Sequence, residues 1–201
     1  DKEDVISAPN AESIYEVPVN FENDKISDRI LKKLSLEAKT KDMQDWRDLV
    51  NNIKNPEGQV KIGIIGKYFG SGDFILTDSY ISVIESIKHA AYSLKLKPTI
   101  EWLDSDVYEK DPQKLEELKF LDGIIVPGGF GNRGIEGKIL AIQYCRENKI
   151  PYFGLCYGMQ LATIEFARNV AGLKDANTTE IDKDTKNPVI DIMEEQKILM
   201  R

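Results

Sequence analysis

A cysteine between two glycines is the feature of this sequence best suited to chemistry. Residues 154–160 read G-L-C-Y-G-M-Q and place Cys156 between Gly154 and Gly158. The apolar residues 150–155 predict a short buried strand before it, and the spacing of apolar residues in 159–170 predicts a helix after it. A G-x-C-x-G turn between a strand and a helix is the cysteine form of a nucleophile elbow. The glycines permit a tight turn, and the helix N-terminus behind the cysteine favours a thiolate over a thiol.

A thiolate that attacks an amide or ester carbonyl creates an oxyanion, which needs preorganised hydrogen-bond donors. The backbone N–H of Tyr157, directly after the cysteine, is one candidate donor. Gly128 and Gly129 follow a second predicted buried strand, 121–126, and glycine lets the backbone come close to a ligand. Because ligands bind at the carboxyl ends of parallel strands, we expect these residues to form one site with Cys156. The alternatives are a buried structural cysteine and an ordinary glycine turn.

The acid–base partner of such a cysteine is not evident from the sequence. A cysteine amidase needs a group that protonates the departing amine, normally a histidine. The single histidine, His89, has polar neighbours in a predicted helix, which favours a solvated surface residue. Cys145 lies in the middle of another predicted helix, and we expect it to be inert packing. No histidine–cysteine spacing or carboxylate cluster predicts a metal site.

Two glycine-rich stretches resemble nucleotide-binding motifs in their glycines but lack the other residues that such motifs require. Residues 129–134 match G-x-G-x-x-G, but no acidic residue about 20 positions further on ends a second strand, as a dinucleotide site requires. The glycines at 66, 70 and 72 lack the G-K-[ST] of a phosphate-binding loop. Residues 129–134 are instead a candidate mobile lid that carries one cation, Arg133.

Apolar runs predict strands at 60–66, 99–103, 121–126 and 150–155. Predicted helices follow a cap at Thr77 or Asp78 and occupy 112–119, 135–148 and 159–170. Strands and helices thus alternate from residue 60 onward, which predicts an α/β fold with an open parallel sheet covered by helices on both faces. Residues 5–19 predict a loop and a short extended segment, and 27–36 and 46–53 predict two helices. We therefore assign 1–57 to the end of a preceding domain and a helical linker. Residues 58–201 form the second predicted domain.

Composition limits the classes of function. The 201 residues are 41% apolar and 30% charged, which is typical of soluble globular proteins. A net charge of −7 argues against nucleic-acid and anionic-membrane partners. No apolar run approaches the roughly 18 residues that a membrane-spanning helix needs, and the charged N-terminus does not resemble a signal peptide. Two cysteines are too few for a disulfide framework, so a reducing cytoplasm is expected.

The chain resembles class I (triad-type) glutamine amidotransferases, and more closely the glutaminase domain of the CTP synthase family. The residues that carry the resemblance are 66–68, 79–83, 126–131 (V-P-G-G-F-G), 133–138 (R-G-I-E-G-K), 154–160, 165–170 (E-F-A-R-N-V) and 176–180 (A-N-T-T-E). The element at 154–160 alone indicates the broad superfamily, whereas the G-F-G-x-R-G-x-E-G-K, E-F-A-R-N-V and A-N-T-T-E elements together are specific to CTP synthases. Residues 13–18 (S-I-Y-E-V-P) resemble the end of that family's synthetase (amidoligase) domain.

The resemblance implies a flavodoxin-like fold and a set of site residues. Cys156 is implied as the nucleophile that forms a γ-glutamyl thioester. The implied oxyanion-hole and glutamine-binding residues are Gly128, Gly129, Tyr157, Gln160 and Glu180, with the Glu180 carboxylate suited to the substrate's ammonium. Tyr157 stands where leucine is more usual. Arg133 is implied as part of a lid that responds to GTP, the family's activator.

The resemblance also implies partners. In the family, a synthetase domain of the same chain binds ATP, Mg²⁺ and UTP and uses ammonia from L-glutamine to make CTP, in a homo-oligomer (a tetramer). No cofactor is implied for the present residues. The family's histidine, glutamate and carboxylate-binding arginine do not occur after Glu180, so we expect a partial chain with little glutaminase turnover alone. The alternatives are a non-catalytic amidotransferase-like binding or regulatory module, and an elbow-cysteine chaperone or hydrolase.

Overall fold

The computed structural model describes residues 5–66, 77–129, 133–193 and 195–196. Its α-helices are α1 (Val17–Asn23), α2 (Ile26–Leu34), α3 (Gln44–Lys54), α4 (Ile81–Ser93), α5 (Ser105–Lys110), α6 (Ile135–Asn148) and α7 (Tyr157–Asn169). Its strands are β1 (Gly58–Gly66), β2 (Leu96–Asp104), β3 (Gly123–Val126), β4 (Tyr152–Gly154), β5 (Ala176–Thr178) and β6 (Asn187–Ile190). Segments Ile14–Glu16, Thr77–Tyr80 and Pro112–Phe120 are 3₁₀ helices.

The main sheet has the strand order β2-β1-β3-β4, and β3 is parallel to both of its neighbours. The register pairs Ile62 with Gly123 and Val126 with Gly154. Parallel strands need crossover connections, and helix α6 supplies the one between β3 and β4. The predicted α/β fold with a parallel sheet is therefore confirmed.

The inner strands are apolar because both of their faces are covered. Ile64, Ile65 and Val126 have no exposed surface, as expected for the centre of a parallel sheet. Leu161 and Ile164 of α7 are also fully buried and belong to the core. The core therefore lies between the sheet and the two helices that follow β3 and β4, which fixes the position of the turn leading into α7.

The prediction for residues 5–19 was wrong in its second half. The chain forms the 3₁₀ turn Ile14–Glu16 and then begins α1 at Val17. The side chain of Ser13 accepts a hydrogen bond from the Tyr15 N–H at 3.3 Å, which caps this turn. Pro18 lies in the first turn of α1, where its missing N–H costs nothing.

Several short elements were not predicted. Helix α5 has six residues, and the Asp104 carboxylate caps it by accepting a hydrogen bond from the Asp106 N–H at 2.9 Å. The predicted helix at Pro112 is a 3₁₀ helix. Strands β5 and β6 form a separate parallel pair with a register shift at Asn177 and Thr178. Such short segments contain too few residues to show a period.

The chain divides into two compact units. One consists of Asp1–Gln59 and His89–Lys97, and the other of Val60–Lys88 and Pro98–Arg201. The assignment of 1–57 to a synthetase domain and linker stays a prediction. Within the described part of the chain, no helix is both long enough and apolar enough to cross a membrane.

Candidate active site

Cys156 occupies the turn between β4 and α7. Its backbone has φ 52° and ψ −104°, a region that residues with a side chain rarely adopt, and its side chain is exposed. It is the N-cap residue of α7, so the positive end of the helix dipole lies beside it. The Leu155 N–H donates to the Val126 carbonyl at 2.9 Å, which ties the turn to β3. The predicted strand-to-helix turn at Cys156 is confirmed, and its strained backbone is typical of nucleophile elbows.

Both glycines of the G-x-C-x-G motif are required by close packing. A Cβ on Gly158 would lie 2.1 Å from the carbonyl oxygen of Val126, and a Cβ on Gly154 would lie 2.5 Å from the carbonyl carbon of Gly158. Helix α7 therefore begins in direct backbone contact with β3 and β4. The Tyr152 hydroxyl adds a hydrogen bond to the Gly158 carbonyl at 2.7 Å. These contacts hold the first turn of α7, and with it Cys156, against the sheet.

The glycines after β3 lie beside Cys156, as predicted. A Cβ on Gly128 would lie 3.4 Å from the Cβ of Cys156 and 3.8 Å from its Sγ. No atom lies within 4 Å of the Cβ position on Gly129, so open space adjoins its backbone. The ends of β3 and β4 therefore bring Cys156 and the Gly128–Gly129 pair together. Phe130, Gly131 and Asn132 of the candidate lid, like residues 67–76, lie outside the described residues.

Tyr157 begins α7 and is 3% exposed. Its N–H is the first of the helix and has no acceptor within it, which leaves it available to a ligand. Its hydroxyl is buried and has no hydrogen-bond partner among the described residues. Burial, and to a smaller extent the charge of Glu180, raises the pKa of Tyr157 to about 12. The phenol therefore stays neutral at physiological pH, and the carboxylate of Glu180 lies close enough to influence it.

Gln160 lies one turn after Cys156, and its N–H donates to the Cys156 carbonyl at 3.2 Å. Its side-chain oxygen Oε1 is buried without a hydrogen-bond partner in the described structure. Such an atom costs free energy unless a ligand or water binds it. Glu180 is exposed just after β5, and its N–H donates to the Thr178 hydroxyl at 3.2 Å. Both residues present oxygen acceptors, which suits an ammonium group.

Arg133 is held at α5. Its Nε donates to the Asp106 carboxylate at 2.6 Å, and a second guanidinium nitrogen lies 2.5 Å from the same oxygen. Gly134 follows with φ 70° and ends the loop at the start of α6. The role of Arg133 towards GTP stays a prediction.

His89 contacts the N-terminal segment. Its Nε2 lies 2.6 Å from the hydroxyl oxygen of Tyr15, and the two rings pack edge to face with centroids 5.5 Å apart. The side chain is exposed, as predicted. This histidine holds Tyr15 in place. No set of three or more His, Cys, Asp or Glu side chains in the described part of the chain could hold a metal ion.

Several interacting residues were not singled out from the sequence. Lys138 is 4% exposed, and its ammonium lies 5.8 Å from the ring centroid of Tyr157. Arg146 and Arg168 form ion pairs that join α6 to α7, with Glu165 and Glu136 respectively. Four of these residues, Glu136, Lys138, Glu165 and Arg168, lie in the conspicuous stretches 133–138 and 165–170, but spacing along the chain does not show which side chains meet across two helices.

The two cysteines differ in environment, and we expect them to differ in reactivity. Cys145 has no exposed surface, and burial raises the pKa of its thiol to about 12. Iodoacetamide at pH 8 should therefore modify Cys156 and leave Cys145 unmodified until the protein is unfolded, because the thiolate is the reactive form. Peptide mass spectrometry before and after addition of denaturant measures this. Equal labelling of both cysteines in the folded protein would contradict the buried position of Cys145.

Comparison with known proteins places this geometry in a family. The family model "Glutamine amidotransferase class-I" matches residues 75–198. The chain is 51% identical to the CTP synthase of Carboxydothermus hydrogenoformans over 98% of its own length and 36% of the relative's. It is also 51% identical to the CTP synthase of Methanococcoides burtonii, over 97% of its length and 35% of the relative's. The chain thus spans about a third of the length of the curated relatives it matches.

A solved structure agrees with this assignment. The glutaminase domain of Trypanosoma brucei CTPS with bound acivicin superposes with a TM-score of 0.61 and 41% identity, over 68% of this chain and 51% of that one. The likeness supports the class I glutamine amidotransferase fold. With the family match, the elbow cysteine and the parallel sheet, the chain belongs to the class I glutamine amidotransferases.

Proposed function

We propose that this chain is the glutaminase part of a CTP synthase. Cys156 releases ammonia from L-glutamine, and a synthetase domain of the same protein uses the ammonia to convert UTP to CTP at the expense of ATP. The observation that carries the proposal is the strained, exposed Cys156 beside Gly128. The chain around it is about half identical to CTP synthases.

The geometry supports attack by the Cys156 thiolate on the side-chain amide carbon of glutamine. The developing oxyanion accepts hydrogen bonds from the N–H groups of Tyr157 and Gly129, which a side chain at Gly129 would obstruct. Collapse of this adduct breaks the carbon–nitrogen bond, and ammonia leaves after its nitrogen receives a proton. Water then attacks the γ-glutamyl thioester on Cys156, giving glutamate and restoring the thiol.

Recognition of glutamine follows from the oxygen acceptors beside the elbow. The exposed Glu180 carboxylate suits the substrate's ammonium, and the buried Oε1 of Gln160 gains a hydrogen-bond donor when substrate binds. Acivicin, which the Trypanosoma brucei domain binds, is proposed to occupy this same site.

We propose that the proton for the leaving ammonia comes from a group that the described residues do not include. The chain contains one histidine, and its ring is engaged by Tyr15. A cysteine without an acid–base partner loses most of its rate enhancement. The 201 residues alone are therefore proposed to turn over little glutamine.

The remaining ligands of the proposal are those of the synthetase domain and the activator. We propose that ATP, Mg²⁺ and UTP bind in the synthetase domain. Arg133, an exposed cation, is the residue proposed to respond to GTP. We also propose that the full-length protein forms a homo-oligomer.

The test is CTP formation by the full-length natural protein from UTP and ATP, with either glutamine or ammonia as the nitrogen donor. We expect both donors to support synthesis, and glutamate to appear in step with CTP when glutamine is used. If neither donor gives CTP, the synthase proposal fails and a non-catalytic binding module takes its place.

A further inference from the structure

Arg168, at the far end of α7 from Cys156, joins α7 to two other segments. Its Nε donates to the carbonyl oxygen of Ala176 at 2.7 Å, and its Nη1 lies 3.1 Å from both carboxylate oxygens of Glu136. The side chain is only 18% exposed. A planar guanidinium can make these contacts together because its donors point in fixed directions.

The first segment ends at Glu180. Ala176 has no exposed surface and opens β5, and Thr178 is 2% exposed. The Thr178 hydroxyl accepts the hydrogen bond from the Glu180 N–H, so the backbone of Glu180 is fixed relative to β5. A displacement of Ala176 would therefore also displace Glu180 and its carboxylate.

The second segment is the start of α6. Glu136 lies in the first turn, where the helix dipole favours its negative charge. The same turn is closely packed on α5, because a Cβ on Gly137 would lie 1.9 Å from the Ser105 carbonyl oxygen. Arg168 thus connects α7, which begins next to Cys156, to the segment that ends at Glu180 and to the start of α6.

We propose that Arg168 is a positioning residue for glutamine binding, acting through Ala176 on Glu180 and through Glu136 on the start of α6. The inference rests on the proposed glutaminase function. It predicts that loss of Arg168 weakens glutamine binding more than it slows the reaction at Cys156. The reason is that Cys156 is held separately, by the glycine contacts with β3 and β4.

Arg146 provides a matched control. It also joins α6 to α7, through hydrogen bonds to the buried Glu165 at 2.8–3.1 Å. Its hydrogen-bond and ion-pair partners in the described part of the chain are Glu165 and the neighbouring Glu147, neither of which belongs to β5 or to the segment that ends at Glu180. Substitution of either arginine weakens the α6–α7 contact, but only Arg168 holds Ala176.

The experiment compares Arg168→Gln and Arg168→Lys with Arg146→Gln and Arg146→Lys in the full-length protein. For each variant, KM and kcat for glutamine, the ammonia-dependent rate and the melting temperature are measured. We expect Arg168→Gln to raise the KM for glutamine about tenfold or more, since it loses charge-assisted hydrogen bonds, with kcat changed less than about threefold. Arg168→Lys keeps the charge and should give an intermediate KM. The ammonia-dependent rate should be unchanged in both variants.

The Arg146 variants should lower the melting temperature and leave the KM for glutamine unchanged. A wild-type KM in the Arg168 variants overturns the inference, and so does an equal rise in KM in the Arg146 variants, which would show a general packing effect. If Arg168→Gln does not fold, Arg168→Lys decides the question. Absence of glutamine-dependent activity in the wild-type protein would instead overturn the proposed function.

Discussion

Cys156→Ala in the full-length protein is expected to lower glutamine-dependent CTP formation by about ten-thousand-fold or more, because it removes the thiol on which the proposed thioester forms. Ammonia-dependent CTP formation should stay within about twofold of wild type, since ammonia bypasses the elbow. The removed thiol is exposed, so little packing is lost. Steady-state assays with each nitrogen donor measure both rates.

Cys145→Ala is the matched control, because it removes the other thiol from a fully buried position in α6. It should lower stability modestly and leave the glutamine-dependent rate near wild type. Loss of both donor activities in Cys156→Ala would mean that the substitution disturbs the whole protein. Retention of glutamine-dependent synthesis would exclude Cys156 as the nucleophile.

Gly158→Ala is expected to destabilise the protein strongly, although it adds only one methyl group. The added Cβ would lie 2.1 Å from the Val126 carbonyl oxygen, and neither backbone can yield without separating α7 from β3. We expect destabilisation of roughly 3 kcal/mol or more, at the upper end of the usual range for overpacking. Cys156 would also move relative to Gly128, which should lower the glutamine-dependent rate about a hundredfold. Thermal unfolding and the two donor assays measure these effects.

Gly123→Ala is the control for this prediction. Gly123 lies in β3, the strand that Gly158 contacts, but its Cβ would meet Ile62 at 3.5 Å and the Pro151 carbonyl oxygen at 3.6 Å, which are ordinary contacts. This variant should keep its melting temperature and activity close to wild type. Equal behaviour of the two glycine variants would contradict the close-packed elbow.

The helices and strands that the sequence predicted correctly are those with long hydrophobic patterns. Helix α6 runs from Ile135 to Asn148 as predicted, and β1 contains the predicted apolar run. The elbow was predictable because glycine, cysteine and the change from strand to helix coincide at 154–160. Gly128 was predictable as its neighbour because parallel strands place their carboxyl ends at one edge.

Other features depend on contacts that spacing does not show. The helical start near Ile14 depends on the Ser13 cap, and β5 and β6 are too short to show alternation. The bridge from Arg168 to Glu136 spans 32 residues of sequence and depends on how α6 packs on α7. For His89, the sequence predicted the exposed position but not the hydrogen bond to Tyr15, because the two residues are 74 positions apart in the chain.

The most direct test of the central claim is to trap the acyl-enzyme. The full-length protein is mixed with glutamine, quenched in acid within the first turnover and digested, and the peptide that contains Cys156 is weighed by mass spectrometry. We expect a fraction of this peptide to carry one γ-glutamyl group, which disappears with hydroxylamine and is absent in Cys156→Ala. If glutamate is released while the Cys156 peptide never carries the adduct, or if the adduct forms on another residue, Cys156 is not the nucleophile.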